Sequence, residues 1–217
     1  MNLQIWSRRK IDGLWAAGAL VVLCFAGLSS AQDTDAQAGE KALASQPTAA
    51  AKASRPKPSA QITRLLQSLE GTWSINDKLA PDKNSPNGKT GIGTIVWRRG
   101  PGGFSVIEEF RSQQGDEEVT GLGEFWWVDA ASGYHTIWCD STNPGGCIDF
   151  KNSARWEGSK LVLEEDYEIN RKKFTFREEF TDFTATTFTQ TLYGGPLGGP
   201  LKVDEIIHAT RTSPAKN

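Results

Sequence analysis

From Trp73 to Thr212 apolar and polar residues alternate with a period of two, stretch after stretch, and no other feature of the chain constrains its fold as strongly. Successive side chains of a β-strand point to opposite faces, so this rhythm predicts strands with one buried and one wet face. Ile148, Phe150, Ala154 and Trp156 share a face, opposed by Asp149, Lys151, Ser153 and Arg155. Phe174, Phe176 and Phe180 lie against Thr175, Arg177 and Glu179 in the same way, and Leu161, Leu163, Tyr167 and Ile169 repeat the pattern. Turn-forming clusters punctuate the series, among them Gly100-Pro101-Gly102-Gly103, Ala130-Ala131-Ser132-Gly133 and Glu157-Gly158-Ser159. Ahead of the strands, Ile62, Leu65, Leu66 and Leu69 fall at helical spacing. A meander of about ten strands must hide its edges. Its simple order predicts an all-β fold, a single up-and-down antiparallel barrel of about 8–10 strands with a short N-terminal helix.

The residues before this domain are of other kinds. Arg8, Arg9 and Lys10 precede an apolar stretch from Leu14 to Leu28, and Ser29-Ser30-Ala31 supplies small residues for cleavage. Residues 1–31 therefore read as a secretory leader, which places the mature chain in the periplasm or outside the cell. The apolar stretch falls short of the roughly 20 residues that span a bilayer, so no membrane span is expected after cleavage. Residues 32–61 hold almost no large apolar side chain and cannot offset their ordering entropy, which predicts a disordered linker. The barrel domain is expected over 62–213, with 214–217 as a tail. Removing the leader leaves 21 basic against 25 acidic residues. With no Lys/Arg stripe, nucleic acid and anionic membrane are poor partners.

Carboxylates interrupt the apolar faces. By parity Glu108 lies inward between Val106 and Phe110, Glu124 between Leu122 and Trp126, Glu165 between Leu163 and Tyr167, and Glu178 between Phe176 and Phe180. An ionised carboxylate sealed in a dry core costs several kcal/mol unless it is paired. Two readings follow: a hydrated cavity, or Glu residues at the rim or paired with arginine. In the first, Trp126, Trp138, Tyr167, Phe176 and Phe188 supply walls, and Gln190 adds a neutral polar group. Glu165 and Glu178 also form a candidate acid/base pair for an enzyme. Neither a nucleophile elbow nor a zinc-type His cluster accompanies them, so no catalytic residue, metal or cofactor is assigned. Parity sends His208 outward, against a haem-ligating role.

Cys139 and Cys147 flank the turn-rich Asp140 to Gly146 segment, and in an oxidising compartment they favour a disulfide over two free thiols. Gly71-Thr72-Trp73 opens the first strand, and Arg211 lies near the end of the last. In a closed meander these strands pair, which lets the Arg211 guanidinium lie over the Trp73 indole.

Gly71, Trp73 and Arg211 resemble the lipocalin and calycin superfamily, in which a Gly-x-Trp opens the barrel and an arginine on the last strand packs across it. A fuller resemblance covers Leu66 to Arg211. Leu69-Glu70-Gly71-Thr72-Trp73, Gly103 to Phe110, Gly121-Leu122-Gly123, Val128 to Tyr134 and Thr136 to Ser141 look like the bacterial domain of unknown function 1579 family, whose motif positions fall on Glu108, Trp138, Asp140 and Ser141. The resemblance implies an exported lipocalin-like barrel with no assigned reaction, and the cysteine pair departs from the family pattern. The expected function is binding of a small, partly apolar molecule; an acid/base enzyme and an envelope interaction module with a filled core remain alternatives.

Overall fold

The computed structural model describes residues 56–83 and 85–214. The expected leader, nearly all of the expected linker and the tail beyond Pro214 lie outside the described residues. Helix α1 (Ala60–Leu69) is followed by ten strands: β1 (Gly71–Leu79), β2 (Lys89–Arg99), β3 (Ser105–Gln114), β4 (Glu117–Val128), β5 (Gly133–Asp140), β6 (Ile148–Glu157), β7 (Lys160–Ile169), β8 (Lys172–Thr181), β9 (Thr187–Pro196) and β10 (Lys202–Pro214). Each strand pairs antiparallel with its sequence neighbour, and β1 pairs with β10, so the sheet closes into a barrel. Closure leaves no free edge, which is the solution the meander required. Strand β6 pairs with β7 through Ala154–Glu157 and Lys160–Leu163.

Helix α1 starts at Ala60, two residues before the first apolar position, because Ser59 caps it with its side chain accepting from the Ile62 amide at 3.2 Å. A ten-residue helix is marginal in isolation. Ile62, Leu65, Leu66 and Leu69 are all buried and hold it across one end of the barrel. Each such side chain contributes about 1.5–3 kcal/mol relative to exposure.

The strand turn at Gly71, with φ of 138°, uses a conformation open to glycine. It delivers Trp73 under the helix, where the indole N–H donates to the Leu69 carbonyl at 2.7 Å. Arg211 faces Trp73 across the β1–β10 ladder, its guanidinium 4.0 Å from the indole ring, and donates to the carbonyl oxygens of Glu70 and Ala185. The expected Trp73–Arg211 plug therefore exists, and it also caps the C-terminus of α1. Above it Trp73, Ile95, Trp97, Phe180 and Phe188 form a dry, fully buried layer.

Cys139 and Cys147 form a disulfide, tying the β5–β6 loop at the opposite end of the barrel.

Candidate functional site

Beyond the dry layer, toward the end away from α1, the barrel interior holds a cavity of about 120 Å³, measured as the space open to the centre of a water molecule. One water needs about 10–15 Å³ in that measure, so the space suits several waters or a small organic molecule. Its apolar walls include Phe110, Phe125, Trp138, Phe150 and Phe176. The carboxyl-bearing side chains of Glu108, Asp140, Glu178, Asp204 and Glu205 also line it.

A first polar group sits at mid-depth. β3 sends Val106, Glu108 and Phe110 inward, β8 sends Phe176, Glu178 and Phe180, and β9 sends Phe188, Gln190 and Leu192. Glu178 and Leu192 are direct neighbours on β8 and β9, and Gln190 Nε2 donates to Glu178 Oε1. That bond uses one of the amide's two N–H groups, and Gln190 Oε1 is left buried without a protein partner. Glu108 Oε1 and Thr136 Oγ1 are buried without partners as well. Burial holds the Glu108 carboxyl well above the usual range, with the nearby Glu178 charge adding to the effect. Burial likewise pushes Glu178 up to about 7, against the opposing pull of the Gln190 hydrogen bond. At neutral pH Glu178 is thus poised between its two forms.

A second polar group lies nearer the mouth. Asp77 points inward between Ile75 and Leu79 and is almost wholly buried. Its Oδ2 accepts from Ser112 Oγ at 2.8 Å and from Gln114 Nε2 at 2.7 Å. Gly91 on β2 makes the room, since a Cβ there would lie 2.0 Å from Asp77 Oδ1. Burial first, then the nearby Asp77 carboxyl, push Glu205 on β10 up to about 8. An irregularity between Val203 and Glu205 turns both Asp204 and Glu205 toward the cavity.

A third feature is the position of Trp138. Its ring lies flat over β4 at Gly121, where a Cβ would come within 2.4 Å of the indole, and over Gly123, where a Cβ would stand 3.3 Å from it. The indole N–H donates to Asp140 Oδ2 at 2.9 Å. Asp140 Oδ1 in turn accepts from the Thr142 amide and hydroxyl at 2.8 and 2.6 Å. The disulfide closes the loop carrying Thr142. Trp138 is therefore an oriented wall of the cavity.

Of the residues predicted from sequence, Glu108, Trp138, Glu178 and Gln190 come together in the cavity. Glu165 and Tyr167 share the inward face, opposite Phe176 and Phe174, and are half-buried. They are not among the residues lining the cavity. Phe188 belongs to the dry layer. The candidate acid/base pair is corrected accordingly: the carboxyl coupled to Glu178 inside the cavity is Glu108, not Glu165.

Glu124 and Trp126 face outward, contrary to the parity expectation. β4 carries large apolar residues on both faces, so apolarity alone could not choose between them. The choice follows from Gly121 and Gly123, which must lie under Trp138, and it puts Phe125 inside while Leu122 is 47% exposed. Trp126 instead stacks on His135 outside the barrel, with ring centroids 4.4 Å apart. His208 is exposed on the outer face, as expected. Asp77, Gln114, Asp204 and Glu205 were missed, although Asp77 and Glu205 carry the same signal as the others, an acidic residue in phase with inward Ile75 and Ile207.

Among known proteins, no family model matches this chain. No curated protein matches it either. The chain is similar in structure to the protein titled Rv2717c from M. tuberculosis, at 12% identity and a TM-score of 0.46, covering 70% of this chain and 98% of that one. It is similar as well to two chains described as bound to DFHBI. One is EF1p2_mFAP2b, at 11% identity and a TM-score of 0.37, covering 70% of this chain and 99% of that one. The other is the redesigned β-barrel mFAP0, at 14% identity and a TM-score of 0.36, covering 67% and 100%.

Proposed function

We propose that the protein is an exported carrier or sensor of the lipocalin-like, domain of unknown function 1579 type, which holds a small, partly apolar molecule in the barrel. One observation carries this reading. Glu108 Oε1, Thr136 Oγ1 and Gln190 Oε1 are buried, lack protein partners and line one aromatic-walled cavity. Buried polar atoms are normally satisfied, and each one left alone costs about 1–3 kcal/mol. A chain that retains three of them around a space large enough for a guest is built for something to complete them. The disulfide at the cavity end agrees with an oxidising compartment, which supports export.

Native mass spectrometry of freshly purified mature protein tests the reading, with an added mass expected that is released on denaturation. The variants Glu108→Leu and Glu178→Leu should keep the fold and lose that mass. A bare chain mass from several expression hosts, or a guest retained by both variants, would remove the proposal.

A further inference from the structure

The chemistry of the cavity restricts its guest further, on the premise that it is a binding site. Gln190 gives one amide N–H to Glu178, and its buried carbonyl oxygen, Oε1, can only accept. Thr136 Oγ1 and Glu108 Oε1 add two more oxygen atoms awaiting a partner. A guest that completes Gln190 Oε1 must bring a donor. The electrostatics point the same way. Carboxyl groups reach the cavity from β3 (Glu108), β5 (Asp140), β8 (Glu178) and β10 (Asp204, Glu205), and no lysine, arginine or histidine is among the described residues lining it. An anionic guest would add like charge beside any ionised carboxyl there and would meet no basic side chain among the described lining residues. A neutral alcohol brings one donor. A protonated amine brings two or three, matches the carboxyl groups in charge, and is attracted to aromatic faces such as those of Trp138, Phe110 and Phe176.

We infer that the cavity takes an organic ammonium ion on a compact apolar body, its N–H groups donating to Glu108, Thr136 and Gln190, with Glu178 as counter-charge. The flat Trp138 ring, held by Asp140 and seated on Gly121, forms the wall for the apolar body.

Isothermal titration of the folded mature protein at neutral pH, with three probes of similar shape, tests this: 2-phenylethylammonium, 2-phenylethanol and 3-phenylpropanoate. The ammonium should bind about 10- to 100-fold more tightly than the alcohol, the range expected for charged over neutral hydrogen bonds. The carboxylate should give no heat. Glu178→Gln should lower ammonium affinity about tenfold while changing alcohol affinity by less than about threefold. Thr136→Val offers an independent loss of an acceptor should Glu178→Gln fold poorly, and Glu124→Gln on the outer face should change nothing. Equal affinity for ammonium and alcohol, or an ammonium preference that survives both Glu178→Gln and Thr136→Val, overturns the assignment and leaves the carrier reading standing. No binding by any of the three, in a protein that also carries no native added mass, removes both.

Discussion

Replacing Glu178 by glutamine should stabilise the protein at alkaline pH and leave it nearly unchanged at acidic pH. Burial raises the Glu178 carboxyl from 4.5 to about 7. For an acid whose folded pKa is raised, the associated stability is fully present below the unfolded value, declines as pH rises, and is lost once pH passes the folded value. At about 1.4 kcal/mol per unit, the displacement corresponds to about 3 kcal/mol, lost between roughly pH 4.5 and pH 7. Glutamine has no proton to lose and can still accept from Gln190 Nε2 through its own oxygen. At about pH 5 the two proteins should unfold within about 1 kcal/mol of each other. At about pH 8 the variant should be more stable by about 2–3 kcal/mol, or roughly 5–10 °C in Tm for a domain of this size. Thermal and urea unfolding followed by circular dichroism, on ligand-free protein at both pH values, measure the difference. A gap that is the same at both pH values, or a variant less stable at the higher one, would refute the view that Glu178 is a cavity carboxyl kept at the expense of stability.

Other expectations follow from single contacts. Gly121→Val should drive the Trp138 indole off β4, destabilise the protein by about 1–3 kcal/mol and shift its tryptophan emission, since even a Cβ would lie 2.4 Å from the ring; unchanged emission would contradict the geometry. Reducing the Cys139–Cys147 disulfide, or the double change to serine, should cost about 2–3 kcal/mol by the chain-entropy model for a separation of 8 residues, read from urea midpoints. Arg211→Met should lower stability by about 2–3 kcal/mol, because it strips Trp73 of its cation and the Glu70 carbonyl of its cap; differential scanning calorimetry reads this directly.

Much of the fold was legible in the chain. Period-two alternation and turn clusters located the ten strands, and the closure of a meander foretold that Trp73 would meet Arg211. The same parity placed Glu108, Glu178 and Gln190 inside and, applied to Ile75 and Leu79, would also have placed Asp77 there. Parity works because a strand's side chains alternate regardless of what surrounds it, so a clean pattern needs no tertiary information.

What the chain alone left undecided were the matters that depend on a neighbouring strand. On β4 both faces are apolar, and only the approach of Trp138 to Gly121 and Gly123 turns Glu124 and Trp126 outward. Depth is equally invisible to parity: Glu165 and Glu178 have the same phase, yet only Glu178 lines the cavity. Asp77 could be buried only because Gly91, fourteen residues away, yields its side-chain space, and Glu205 could join it only because β10 closes against β1. Alternation is a property of one strand, whereas depth, the meeting of carboxyl groups and the space for a guest belong to the packing of several, and barrel closure is the step that sets them.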